Sequence, residues 1–246
     1  MQRHLTKKMK IKFLGTRGEI EEETLRHRFH SSLLIEDKEF RLLIDHGIIS
    51  YPLTKINPDA ILITHGHPDH FLWLKKDEEY QGNIYLSKET EKVAKFKKNF
   101  KIFKTDQWFK LGPFTVLAYP VTHSLLAPAV GFKIKNDQTI IYNPDVLAIK
   151  NKAVLKGTDL YIGDGSSFKS NLVRRRGDKL FGHARMQTQI NWCKRYQIKK
   201  IIFTHFGKEV LGLGDENLEK MLKEKNNEDI QIAYDGYEIT PHTTIA

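Results

Sequence analysis

The segment Thr64-His65-Gly66-His67-Pro68-Asp69-His70 places three imidazoles and a carboxylate within six residues, directly after an apolar run. Neutral imidazole with carboxylate is a donor set suited to zinc, with manganese and iron as the other candidates. In extended backbone, residues two apart point the same way, so His65 and His67 can share one ion. Pro68 suits the first turn of a helix, where its missing N–H costs nothing, and such a turn redirects Asp69 and His70 toward a second position. A histidine-rich surface loop is the competing reading; the spacing is too specific to metal binding to favour it.

Donors of this kind need strands and helices to hold them. Strand patterns run over Met9–Gly15, over Ser31–Asp37 and Phe40–Gly47 as a hairpin, and over Asp59–His65 after Pro58. GNIYLS, GPFTVLAYPV, AVGFKIK, QTIIYNPD, DLYIGD, KKIIFTH and DGYEI are further strand candidates. Helices are expected over Ser87–Asn99, with Val93 and Phe96 on one face behind a serine cap, and over Ala184–Tyr196, with Met186, Ile190 and Cys193 in one stripe. A third is expected over Gly214–Lys225, with Leu218, Met221 and Leu222 inward. No repeat, low-complexity linker or composition break divides the chain, so one α/β domain over residues 1–246 is expected.

The composition is that of a globular protein, 40% hydrophobic and 28% charged. No apolar run approaches the ~20 residues of a membrane span. The N-terminal MQRHLTKKMK lacks the apolar core of a signal peptide. The expectation is a cytoplasmic protein without a membrane partner. A single cysteine, Cys193, excludes an internal disulfide and a cysteine-based zinc cluster. The net charge of +10 favours anionic partners, although the lysines are spread along most of the chain.

The H-x-H-x-D-H spacing resembles the signature of the metallo-β-lactamase superfamily of metal-dependent hydrolases. The likeness extends over nearly the whole chain, because the family's other landmarks follow in order. Asp45 in LLIDHG resembles the aspartate that ends an early strand, and His123 in YPVTHS the next histidine ligand. Asp145 in IIYNPDV resembles the bridging aspartate, and His205 in IIFTHFG the last histidine ligand. The resemblance implies an αββα sandwich with two divalent metal ions at one edge. His65, His67 and His123 would hold one ion, and Asp69, His70 and His205 the other, with Asp145 bridging. Asp69 would also steer a proton of the nucleophile, and Asp45 would orient the ligand histidines. Two ions roughly 3.5–4 Å apart can bridge a hydroxide and polarise the bond it attacks.

The superfamily cleaves β-lactams, thioesters, lactones and phosphodiesters, so the fold alone does not choose among them. His183 in LFGHARMQTQ, 22 positions upstream of His205, resembles the histidine that assists at the scissile phosphate in the phosphodiesterase branch. That branch includes ribonuclease Z and the phosphonate-pathway cyclic phosphodiesterases. Asp164 in DLYIGDGSS falls where ribonuclease Z carries the carboxylate partner of that histidine. Such a partner favours imidazolium, a general acid or phosphate clamp near pH 7. Arg174, Arg175 and Arg176 lie between the two and suit a phosphate-bearing substrate.

The departures are equally specific. Only 22 positions separate His123 from Asp145, so ribonuclease Z's long tRNA-gripping arm is missing from that interval. FLGTRGEIEEE carries Arg17 and an acidic tail where the family has G-T-G, and Asn143-Pro144-Asp145 replaces S-G-D.

The expected activity is two-metal hydrolysis of a phosphodiester, in RNA, a nucleotide or a small or cyclic phosphate. A homodimer is the assembly the resemblance suggests. Two rivals stand beside it. A carboxyl-ester, lactone or thioester hydrolase predicts no dependence on His183, and a non-catalytic nucleic-acid-binding protein would keep the metal site without turnover. Among the remaining residues, His30 and His46 read as packing or turn residues, and His4, His27 and His242 as surface. Trp73, Trp108 and Trp192 read as core.

Overall fold

The computed structural model describes residues 9–241. His4, His242 and most of the basic N-terminal segment therefore lie outside the described residues.

Side chains alternate between the two faces of a strand, and in this chain both faces are apolar. Leu33 and Ile35 point one way and Leu34 the other; Ile140 and Tyr142 point one way and Ile141 the other. Sheets of that kind must be covered on both sides. The first sheet runs Glu238–Ile239, Lys10–Gly15, Ser32–Asp37, Phe40–Ile44, Ala60–Leu62, Asn83–Leu86, Phe100–Ile102. The second runs Ala148–Ile149, Phe114–Thr122, Ala129–Lys135, Thr139–Tyr142, Leu160–Asp164, Lys200–Thr204, Asp229–Ile232, and Trp108–Leu111 also pairs with Phe114–Thr122.

Their inner faces meet in one core, where Phe13, Leu33 and Ile44 pack with Phe114, Phe132 and Ile162. On the outer face of the second sheet, Tyr161, Ile201 and Phe203 are covered by the helices Met186–Arg195 and Asp215–Lys223, through Ile190, Cys193, Leu218 and Leu222. The outer face of the first sheet lies under the short helix Leu53–Ile56 and the 3-10 turn Leu72–Leu74, which buries Trp73 completely. The architecture is the expected αββα sandwich, with one outer layer thinner than the other.

Direction decides where the site forms. Phe40–Ile44, Ala60–Leu62 and Asn83–Leu86 are parallel, as are Thr139–Tyr142, Leu160–Asp164 and Lys200–Thr204. Parallel strands bring their carboxyl ends to one edge, and Asp45, His65, Asp145, Asp164 and His205 all end or follow those strands. Two antiparallel steps return Phe114–Thr122 to the same direction, so His123 joins them. The Val130 N–H donates to the Thr64 carbonyl at 3.2 Å, tying the two sheets together beside His65.

Several local expectations change in the folded chain. The helix expected over Ser87–Asn99 spans only Lys88–Val93. Ser87 caps it through the Thr90 N–H at 3.1 Å, but the Lys95 and Phe96 N–H groups leave the helix for the Trp73 carbonyl. Val93 is consequently exposed rather than packed with Phe96. Pro68 opens a single turn, closed by the His70 and Phe71 N–H groups on the His67 carbonyl, and not a helix. Phe100–Ile102, Trp108–Leu111, Ala148–Ile149 and Asp229–Ile232 are additional strands, and Lys208–Leu213 is an additional helix. Of the three tryptophans only Trp73 is core; Trp108 is 44% exposed, with the Lys135 Nζ 4.5 Å above its ring, and Trp192 is half-buried. His27, expected at the surface, is buried between the Thr16 Oγ1 at 2.7 Å and Asp215 Oδ1 at 2.9 Å, edge-on to Phe206. Among the described residues no helix is long and apolar enough to cross a membrane.

Candidate metal centre

Four histidines, His65, His123 and His205 after strand ends and His70 in the turn opened by Pro68, are each held by a partner on one ring nitrogen. His65 Nδ1 meets the Thr64 Oγ1 at 3.0 Å, and His70 Nδ1 meets Asp45 Oδ2 at 2.9 Å. His123 Nδ1 meets the Gly182 carbonyl at 3.2 Å, and His205 Nδ1 the Ser166 Oγ at 3.0 Å. Anchoring of this kind fixes the ring and presents its other nitrogen inward. Asp45 is fully buried and also accepts the Thr64 N–H at 2.8 Å, so it acts on the site through His70. Asp45 and His205 adopt left-handed backbone, with φ of 63° and 59°, which costs energy for a non-glycine residue and persists where the surroundings over-determine it. At Gly18 a Cβ would stand 3.0 Å from His205 Cε1, so glycine is what lets this loop lie against the ring.

The inward atoms form two adjoining groups. His65 Nε2 and His123 Nε2 stand 3.0 and 3.3 Å from His67 Nδ1. Asp69 Oδ2 stands 3.1 Å from His205 Nε2 and 3.2 Å from His70 Nε2. Asp145 lies between the groups, its Oδ1 3.5 Å from His123 Nε2 and its Oδ2 2.7 Å from His70 Nε2 and 3.3 Å from His205 Nε2. The fold thus brings His65, His67, Asp69, His70, His123, Asp145 and His205 together from four separate stretches of chain.

The donor set fits divalent metal. Asp69 Oδ1 is buried at the centre with no hydrogen-bond partner among the described residues, and His70 Nε2 and Asp145 Oδ2, although 2.7 Å apart, are not aligned as a hydrogen bond; metal coordination relieves this costly state. Burial holds His65 well below the usual imidazole range and His67 at about 4, and it lowers His123, so this group is neutral and ready to ligate. Burial also opposes charge on His70 and His205. There the carboxylates of Asp69 and Asp145, with Asp45 also acting on His70, outweigh it and raise both.

Beside this cluster, His183 Nδ1 stands 2.8 Å from Asp164 Oδ2 and 3.5 Å from Asp145 Oδ1. Burial pulls the His183 pKa down, but the charge and hydrogen bond of Asp164 prevail and lift it to about 9. His183 and the metal-donor cluster open on a cavity of about 800 Å³, whose other walls include Glu19, Ile20, Leu172, Arg174 and Phe181.

The arginines separate. Leu172–Arg176 and Lys179–His183 form an exposed two-stranded ribbon, in which Arg174 pairs with Phe181 and both face the cavity. Strand alternation turns Arg175 to the other face, and Arg176 lies toward the hairpin tip outside the cavity lining. Arg17 is buried, with Nη1 3.4 and 3.3 Å from the Glu21 and Glu22 carbonyls, so it braces its own loop rather than the cavity. Asn143 turns into the core and accepts the Tyr119 hydroxyl at 2.7 Å. His30 is buried outside the cavity lining, and His46 bonds Glu78 at 3.0 Å. Sequence reasoning did not single out Thr64, Ser166 or Glu19. The first two carry the signal of a hydroxyl beside a ligand or a strand-end aspartate, and Glu19 belongs to the acidic tail that departs from G-T-G.

Comparison with known proteins agrees with this geometry. The family model described as the beta-lactamase superfamily domain matches residues 50–206. A search of curated proteins returned no match. Among solved structures, the metallo-β-lactamase fold protein YhfI from Bacillus subtilis is 20% identical with a TM-score of 0.73, covering 95% of this chain and 99% of that one. Zn²⁺-bound PqqB from Methylobacterium extorquens is 17% identical with a TM-score of 0.72, covering 94% and 99%. A diphosphatase of the PhnP family is 18% identical with a TM-score of 0.66, covering 95% and 97%. At these identities the likeness speaks for the fold alone. With the family model spanning more than half of the sequence, the chain belongs to the metallo-β-lactamase superfamily.

Proposed function

We propose that this superfamily hydrolase is a metal-dependent phosphodiesterase in which His183, kept protonated by Asp164, donates a proton to the leaving oxygen. The observation that carries the reading is the 2.8 Å His183–Asp164 pair standing on the cavity wall beside Asp145. Divalent ions held by the seven donors would supply Lewis acidity and an activated water. A diphosphatase and a Zn²⁺-bound protein share this fold, which makes a phosphate substrate and zinc the first to test.

The remaining work falls to the chain. Arg174 faces the cavity and supplies a fixed cation for phosphoryl oxygens. His183 Nε2 makes no hydrogen bond among the described residues and is free to meet the leaving oxygen, while Nδ1 stays on Asp164. An alkoxide leaves poorly unless it is protonated as the bond breaks, so an imidazolium poised there lowers the barrier. A cavity of about 800 Å³ exceeds a bare phosphodiester and leaves room for nucleotide-sized arms.

The test uses metal-depleted protein resupplied with zinc or manganese, assayed on methyl phenyl phosphate, methyl p-nitrophenyl phosphate and a p-nitrophenyl carboxyl ester. The expected result is metal-dependent phosphodiester turnover. His183→Ala should lose about a hundredfold on the phenyl substrate and less on p-nitrophenyl, whose leaving group needs less protonation. Ester cleavage without phosphodiester cleavage would overturn the reading.

A further inference from the structure

The apolar stripe of Met186–Arg195 contains one polar residue that is completely buried, Gln189. Its amide is fully committed. Oε1 accepts the Asp164 N–H at 3.0 Å and the Tyr161 hydroxyl at 3.0 Å. Nε2 donates to the Asp164 carbonyl at 2.7 Å and to the Ala184 carbonyl at 3.0 Å. Two acceptor positions and two donors are all that a primary amide has, so the group has one orientation and no spare bond. Gly163 makes room for it, since a Cβ there would stand 2.6 Å from Gln189 Oε1.

These bonds join the backbones of Asp164 and Ala184, which Val146 also bridges, its N–H donating to Asp164 Oδ2 at 2.9 Å and its carbonyl accepting the Ala184 N–H at 2.7 Å. Asp164 is the carboxylate partner of His183, and Ala184 is the next residue after it. The Asp164 side chain is separately committed to His183 Nδ1 at 2.8 Å and to the Val146 N–H at 2.9 Å. The strand end that carries the carboxylate and the strand end that carries the imidazole are therefore clamped by a third side chain, from a helix behind the sheet. A buried amide with only packing to do could be an aliphatic residue, with no desolvation to offset.

We propose that Gln189 is the positioning residue of the His183–Asp164 pair: by clamping the Asp164 and Ala184 backbones it holds the imidazole where proton delivery to the leaving oxygen is efficient. This rests on the phosphodiesterase reading above. A displacement of the acid on the order of 1 Å can cost a hundredfold in rate, so a partly relaxed clamp should cost about tenfold on steps that need the proton.

The variants are Gln189→Met, which keeps the volume without hydrogen bonds, and Gln189→Glu, which keeps the acceptors and loses both donors. They are compared with wild type and His183→Ala as zinc-loaded protein, with bound zinc measured. The kinetic readout is kcat on methyl phenyl phosphate against methyl p-nitrophenyl phosphate. The second readout needs no turnover: the downfield proton resonance of His183 Nδ1–H, identified by its absence in His183→Ala. Gln189→Met should lose about tenfold in kcat on the phenyl substrate and markedly less on p-nitrophenyl, with KM and zinc content unchanged and the Nδ1–H resonance shifted or lost. Gln189→Glu should fall in the same direction. Equal losses on both leaving groups, a parallel loss of zinc, or an unmoved resonance would overturn the inference while leaving the phosphodiesterase reading standing. An absence of phosphodiester turnover, or a loss in His183→Ala that ignores the leaving group, would overturn that reading and this inference with it.

Discussion

Asp164 Oδ2 accepts both His183 Nδ1 at 2.8 Å and the Val146 N–H at 2.9 Å, so one buried carboxylate oxygen joins the proposed acid to the residue after Asp145. Asp164→Asn keeps the shape and removes the charge. It should lower phosphodiester turnover by about a hundredfold while leaving bound metal unchanged, because the ion donors are untouched. Steady-state rates alongside elemental analysis check both halves.

The pH dependence follows from the same pair. His183, raised to about 9, is imidazolium through neutrality, so proton donation should fade on an alkaline limb near that pH. In Asp164→Asn the limb should move acidward, because burial is then opposed only by the weaker pull of Asp145 and Asp69. The stability of metal-free protein carries the same sign. A raised folded pKa contributes fully below about 6.5 and is lost as pH rises through about 9, so His183→Ala should cost more stability at pH 6 than at pH 10. Denaturant midpoints of the two proteins at both pH values decide this.

Among the described residues the Asp45 carboxylate reaches the site only through His70 Nδ1, at 2.9 Å, and through Thr64. Asp45→Asn should weaken metal affinity by about 10–100-fold. Competition with a chromophoric chelator measures it, and an unchanged affinity would remove Asp45 from the metal centre.

Metal uptake should release protons. His70 and His205 are raised in the metal-free cluster, whereas His65, His67 and His123 are already neutral. Loading should displace protons from these raised imidazoles, and affinity should fall as pH drops. Calorimetry in buffers of different ionisation enthalpy counts them.

Arg174 and Arg175 are adjacent in sequence and opposite in space. Arg174→Ala should raise KM for an anionic phosphodiester by about tenfold, as one charge-assisted contact is lost. Arg175→Ala should leave KM unchanged, since its side chain lies on the other face of the ribbon. Equal effects would mean that the cation acts at long range and not by contact.

Much of the donor set was legible in one dimension. His65, His67, Asp69 and His70 announce themselves because a strand end and one turn can gather them locally. His123, Asp145 and His205 follow apolar runs that must be buried strands, and the resemblance could attach them in order. The boundaries were less legible. The helix after Ser87 stops early because the Trp73 carbonyl, fourteen positions before that cap, takes the N–H groups that would have extended it. His27 looked like a surface histidine because Thr16 and Asp215, which enclose it, lie far apart in the sequence.

The sequence by itself determined the chemistry on offer: imidazoles and carboxylates at the carboxyl ends of apolar strands, two apolar faces per sheet, and one cysteine. These are local properties, set by residue type and by the strand's period of two. Only the tertiary structure decided that Asp164 meets His183, that Arg174 faces the cavity while Arg175 does not, and that Gln189 locks the pair from behind. Each of those depends on the register of one element against another distant in the chain. A one-residue slip would send the side chain to the opposite face with no change in composition.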